Sequence, residues 1–179
     1  MANFVAFKAD AVRELAAQCL SLAQKHGAAI PLVLGHSLLG AAFVVSGDFA
    51  EGQAQLHHAN SLYDPAEHSQ PLSTRFGLDF TVFLAFRASA HWTLGRPEAA
   101  RTDVERALRD ARKIGRVPSL MGALQLTGSM QLRLGAIAAA KAQADELVAL
   151  AEEKAAPALG SRDGGPKLRA CLARRSLKG

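Results

Sequence analysis

The stretch Thr93-Leu94-Gly95-Arg96-Pro97-Glu98-Ala99-Ala100 closes one apolar-periodic segment and opens another. A glycine just past such a segment suits a helix end, where the chain must take φ > 0. Pro97 follows inside the start of the next segment, where a missing N–H costs nothing. The octet therefore predicts helix, tight turn, helix. Two other stretches have the same form: Val45-Ser46-Gly47-Asp48-Phe49 and Arg133-Leu134-Gly135-Ala136-Ile137. With the three glycines aligned, small residues fall into register. Seven residues before each stand Gly40, Ala88 and Gly128; five after, Gly52, Ala100 and Ala140; twelve after, Ala59, Ala107 and Leu147. Larger apolar residues sit a turn away, as Leu56, Val104 and Phe43. Small residues at fixed offsets are what two antiparallel helices need to approach closely.

This is the small-and-large pattern of tetratricopeptide repeats, with glycines 48 and 40 residues apart rather than the ideal period of about 34. The expected fold is all-α: a right-handed α-solenoid of antiparallel helix hairpins, tetratricopeptide-like, with about seven helices. One leading helix covers Asp10 to His26, with Val12, Leu15, Ala16, Cys19, Leu22 and Ala23 at helical spacing. Three hairpins follow. Their helices are expected over Pro31–Ser46 and Phe49–Tyr63, over Leu72–Leu94 with a break near Gly77 and Pro97–Ile114, then over Pro118–Leu134 and Ile137–Ala155. Residues Asp64 to Pro71 read as a loop, with two prolines among polar residues. The helical repeat domain is placed at residues 1–157. Gly160, Gly164, Gly165 and Pro166 then open a basic Gly/Pro/Arg tail over 158–179, expected to be flexible.

Alanine and leucine dominate a chain that is 49% hydrophobic and only 6% aromatic, a helix-forming composition. The net charge of +5 is a property of the tail. Residues 161–179 carry six basic residues and one acid, and the rest of the chain balances. A balanced body without a basic stripe argues against nucleic-acid binding. Cys19 and Cys171 form no CxxC and read as free thiols in a reducing compartment. No apolar run is judged to approach the roughly 20 residues of a membrane span. Met1-Ala2-Asn3-Phe4 does not open a signal peptide. Together these imply a cytoplasmic protein with no membrane partner.

A wider resemblance rests on Gly35-His36-Ser37-Leu38-Leu39-Gly40, Ser46-Gly47-Asp48-Phe49-Ala50 and Leu62-Tyr63-Asp64-Pro65-Ala66-Glu67-His68. It continues through Phe76-Gly77-Leu78-Asp79, Leu94-Gly95-Arg96-Pro97-Glu98-Ala99-Ala100 and Ala144-Asp145-Glu146-Leu147-Val148-Ala149-Leu150-Ala151-Glu152. From about Ala16 to Lys154 the chain resembles the tetratricopeptide-like C-terminal region of bacterial predicted-ATPase transcriptional regulators and class III adenylate cyclases. Phe80-Thr81 stands where Pro-Gly is common in that family. The resemblance implies a scaffold or sensor region, because the family's catalytic parts lie N-terminal to it. It also implies further repeats beyond Glu153, so this chain is expected to be a truncated or frame-shifted fragment of a longer ancestor. Tetratricopeptide-like coding in the downstream DNA would accord with that origin.

No enzyme, cofactor or metal is expected. The chain has no GxxxxGK[ST], HExxH, CxxC or GxSxG. His57 and His58 are adjacent, so they leave a helix in different directions. Glu98, Arg101, Glu105 and Arg109 read as solvent-side pairs, and Trp92 as a core residue. In tetratricopeptide arrays the first helix of each hairpin lines a groove. The candidate partner-binding residues on those helices are His36, Arg75, Asp79, Arg87, His91, Gln125 and Arg133. Arg87, inside the apolar run Phe83 to Ala88, either pairs with an acid such as Asp79 or points into the groove. The expected function is a non-catalytic interaction or scaffold module that captures a protein or peptide in the groove. The alternatives are a small-molecule-sensing regulatory domain and a self-association element. A homodimer is expected, since an end hairpin without a polar cap leaves an apolar face.

Overall fold

A computed structural model describes residues 9–26, 29–68 and 79–160, with side chains for 11–23, 29–68 and 79–153. Among the described residues the chain is all-helical, without a strand. Seven helices follow one another: α1 (Ala9–His26), α2 (Ala29–Ser46), α3 (Phe49–Leu62), α4 (Phe80–Thr93), α5 (Pro97–Ile114), α6 (Val117–Arg133) and α7 (Ile137–Gly160). Helix α1 packs on α2. The rest form hairpins α2–α3, α4–α5 and α6–α7. The first helices of successive hairpins also touch, α2 with α4 and α4 with α6, while α3 reaches α4 and α5 reaches α6.

The three hairpin turns are copies of one another. Gly47, Gly95 and Gly135 have φ of 91°, 74° and 75°, where a side chain would be strained. In each turn the glycine N–H donates to the carbonyl three residues back: Val44, Trp92 and Leu132. The following N–H donates five residues back, to Phe43, His91 and Gln131. These bonds occupy helix-end carbonyls that otherwise lack partners.

The small-residue register places close contacts between paired helices. A Cβ on Gly40 would lie 2.6 Å from Leu56 Cγ and 2.9 Å from the Gly52 carbonyl; one on Gly52 would meet Val44 Cγ2 at 2.7 Å. Ala59, Ala88, Ala100 and Ala107 are fully buried. Each hairpin also carries a polar acceptor eight residues after its glycine, bonded back to the first helix. Gln55 Oε1 accepts from His36 Nδ1 at 2.8 Å. The Asp103 carboxylate accepts from Arg87 Nε at 2.8 Å and Nη2 at 2.5 Å. Gln143 Oε1 accepts from Thr127 Oγ1 at 3.1 Å.

One core cluster surrounds α2 and the start of α4, with Val33, Leu34, Leu38, Leu56, Phe83 and Leu84; a second joins α4 to α6, with Val104, Leu124 and Met130. Tyr63 and Phe80 stack at 4.1 Å, setting the start of α4 against the end of α3.

Helix α4 begins at Phe80, after an extended Asp79 (φ −109°, ψ 143°), on the far side of the expected break near Gly77; residues 72–78 lie outside the described residues. Three expectations need correction. Part of the expected loop after α3 is a helical turn at residues 65–68. There Asp64 Oδ1 accepts from the Ala66 N–H, and the Asp64 N–H donates to His68 Nδ1. That exchange caps the turn in the manner of a capping box. Helix α7 runs to Gly160, past Ala155. Finally, α2 is long and apolar enough to cross a membrane by length and composition alone, contrary to the judgement that no run approaches that length. Half of it is buried in the protein. Packed between α1, α3 and α4, it has little polar face to show, as a central helix does. The tail from residue 161 and Cys171 lie outside the described residues.

Candidate interaction groove

The first helices place matching positions side by side. Two residues before each turn glycine stand Val45, Thr93 and Arg133; Ser89 and Ser129 stand six before, and Phe86 and Leu126 nine before. Most of these residues line one depression of about 300 Å³. Val44 and Val45 of α2, Ala85, Phe86 and Ser89 of α4, and Leu126, Ser129, Met130 and Arg133 of α6 form it, with Phe49 of α3 closing one side. Val45, Ser129 and Arg133 are exposed, so solvent enters from the rim. The volume is at the lower end of the usual range for ligand sites, about 300–1,000 Å³. It suits one or two anchoring side chains.

Behind the groove, buried polar contacts hold α4 in place. Arg87 and Asp103 are 8% and 3% exposed, and their two-point pair fixes α4 to α5. Burial of such a pair costs desolvation, which the bidentate geometry offsets. His91 Nε2 lies 3.7 Å from Asp103 Oδ2, and its buried Nδ1 has no partner among the described residues. Burial pushes the His91 pKa below its ordinary value; Asp103 opposes this and Arg87 adds to it. Ser119 Oγ donates to Asp79 Oδ2 and ties the start of α6 to the start of α4. Asp79 Oδ1 is buried without a partner among the described residues. Burial, with help from Asp110 and Asp79, pushes Tyr63 up to about 12. Half-buried Cys19 is raised by burial, which makes its thiol a poor nucleophile.

The candidate residues from the sequence divide accordingly. Arg133 lines the groove. Arg87 and His91 meet at Asp103, and it is Asp103 rather than Asp79 that pairs with Arg87. Asp79 is buried against Ser119. His36 is turned toward α3, bonded to Gln55 and edge-on to His58 at 4.4 Å. Gln125 is exposed on α6 and is not among the lining residues. Arg75 lies outside the described residues. Sequence reasoning missed Val45, Phe86, Ser89, Leu126 and Ser129. The glycine alignment held part of the signal: positions six and nine before the glycine line the groove on α4 and α6, but on α2 they are the buried Leu38 and Ala41, and Thr93, two before Gly95, is not among the lining residues.

No group of three or more His, Cys, Asp or Glu among the described residues is arranged to hold a metal ion. A second depression draws all its lining residues, Glu105, Leu108, Arg109, Arg112 and Lys113, from α5. It has no second wall, and Arg112 is engaged by Glu146 at 2.9 Å. No protein-family model, curated protein or solved structure matches the chain.

Proposed function

We propose that the protein is a non-catalytic interaction module that captures an apolar segment of a partner protein in the groove across α2, α4 and α6. The single observation that carries this is that all three first helices line one depression: α4 and α6 through the positions six and nine before their turn glycines, α2 and α6 through the position two before. A right-handed tetratricopeptide-like solenoid would line its groove from its first helices in this way. The resemblance to the C-terminal repeat region of bacterial ATPase and cyclase regulators supports a scaffold or regulatory role in the cytoplasm. The open rim favours a peptide or helix over a small molecule, which usually needs an enclosed pocket.

The test is a random-peptide display selection against the full chain. Ser89→Trp, which fills the groove, serves as the counterpart. Selected peptides should bind the parent chain and lose binding to Ser89→Trp, with the helical circular-dichroism signal unchanged. Peptides that bind both proteins equally would contradict the reading.

A second reading has its own observation. Leu132, Ile137 and Val148 of the last hairpin are 59%, 70% and 57% exposed, an apolar surface that a second copy would cover. Light scattering over a concentration series should then show a dimer, and a monomer at all concentrations would remove this reading.

A further inference from the structure

We infer that the groove selects an acidic-apolar segment, one that sets a carboxylate against Arg133 and a bulky apolar side chain among Phe86, Leu126 and Met130. The inference rests on the groove reading above and adds the chemistry of the occupant.

Two independent observations carry it. First, among the described residues Arg133 is the only charged one lining the depression, beside the apolar Val44, Val45, Phe49, Ala85, Phe86, Leu126 and Met130 and two serines. It is exposed, and its guanidinium takes part in none of the ion pairs among the described residues. The same position in the other hairpins is Val45 and Thr93. A cation near a helix C-terminus is favoured by the dipole, but two of the three equivalent helices do without one. The repeat itself therefore does not call for an arginine there.

Second, charge is segregated by helix. Helices α2, α4 and α6 contain no Asp or Glu. The acids sit on α1 and on the second helices, as Glu14, Glu51, Glu98, Asp103, Glu105, Asp110, Asp145, Glu146, Glu152 and Glu153, or in the turns. In a body whose charges otherwise balance, the helices that floor the groove are free of acid, and their one groove-facing charge is positive. An anionic occupant meets no acidic side chain among the described lining residues. A guanidinium fork also offers a carboxylate two parallel N–H donors. The apolar lining supplies most of the contact area, and the arginine supplies orientation and selectivity.

The same display selection tests this with one more variant, Arg133→Glu. Peptides enriched on the parent chain should combine a bulky apolar residue with Asp or Glu a short distance away. Changing that acid to its amide should weaken binding about tenfold, the weight of one partly shielded charge-assisted hydrogen bond. On Arg133→Glu the enrichment should move to Lys or Arg, and added salt should weaken the parent interaction. If Ser89→Trp fails to fold, Val45→Glu at the exposed rim replaces it and should reject the acidic peptides. Peptides that need the groove but show no acid preference would overturn this inference and leave the groove reading standing. Peptides indifferent to both groove variants, or no enrichment at all, would overturn both. A dimer that Ser89→Trp converts to monomer would assign the groove to a second copy and overturn the acidic-partner inference.

Discussion

The first and last hairpins share a turn and a residue register, yet they pack differently. In α2–α3 two glycines face each other, and a methyl group on Gly40 would press within 2.6 Å of Leu56 and 2.9 Å of the Gly52 carbonyl. In α6–α7 the matching glycine, Gly128, has only Gln143 Oε1 nearby, at 3.6 Å. Its opposite position is Ala140, and the position twelve after the turn glycine is Leu147 instead of an alanine. Helix separation follows the size of the side chains at the crossing. Helix α2 is also enclosed by α1, α3 and α4, whereas the main contact of α7 is with α6. The difference shows how one repeat is used twice. In the interior it is locked by close backbone approach, and at the end it is held by a looser, partly polar contact. The middle hairpin takes a third course, with a buried ion pair at its crossing.

The largest expected effect falls on that middle hairpin. Asp103→Ala strands Arg87, which is 8% exposed, and should cost about 3–5 kcal/mol in urea unfolding. A loss below about 1 kcal/mol, the size of a surface pair, would show that water solvates Arg87 and that the hairpin is not charge-locked.

Next comes the direct comparison. Gly40→Ala should destabilise by about 1–3 kcal/mol, since a backbone carbonyl cannot move aside as a side chain can. Gly128→Ala should stabilise by about 0.5–1 kcal/mol, because the space exists and alanine favours helix over glycine. Equal effects at the two positions would remove the contrast between interior and end.

A smaller effect is expected from His91. Its folded pKa lies below the ordinary 6.5, so the unfolded chain takes up the proton first as pH falls. The stability tied to the neutral ring is complete above pH 6.5 and is lost as pH drops below it toward the lowered folded value. His91→Asn should flatten that slope. An unchanged slope would place the acid sensitivity in other groups.

The turns were legible because glycine past an apolar segment has one physical use, and all three turn glycines adopt positive φ. Residue pairs across each hairpin were legible in principle as well. Arg87 with Asp103, and Thr127 with Gln143, stand eight residues either side of their glycine, as facing positions in an antiparallel pair must. Of the two readings of Arg87, pairing with an acid is the one observed, but the acid is Asp103 across the turn, and not Asp79, the example nearer along the chain. The start of α4 was legible only as a break near Gly77; Asp79 takes an extended backbone and the helix begins at Phe80. The groove was half legible. Arg133 stood out by its charge, but Ser89 and Ser129 are ordinary residues whose meaning depends on the neighbouring helix.

Whether three repeat-related hairpins stack in a row can be read from native-state hydrogen exchange across denaturant. A row should open from its looser end. Helices α7 and then α6 should exchange through openings below the global unfolding free energy, while α2 to α4 stay protected. Slowest amides in α7 that share one free energy and one denaturant dependence with those of α2 would contradict it.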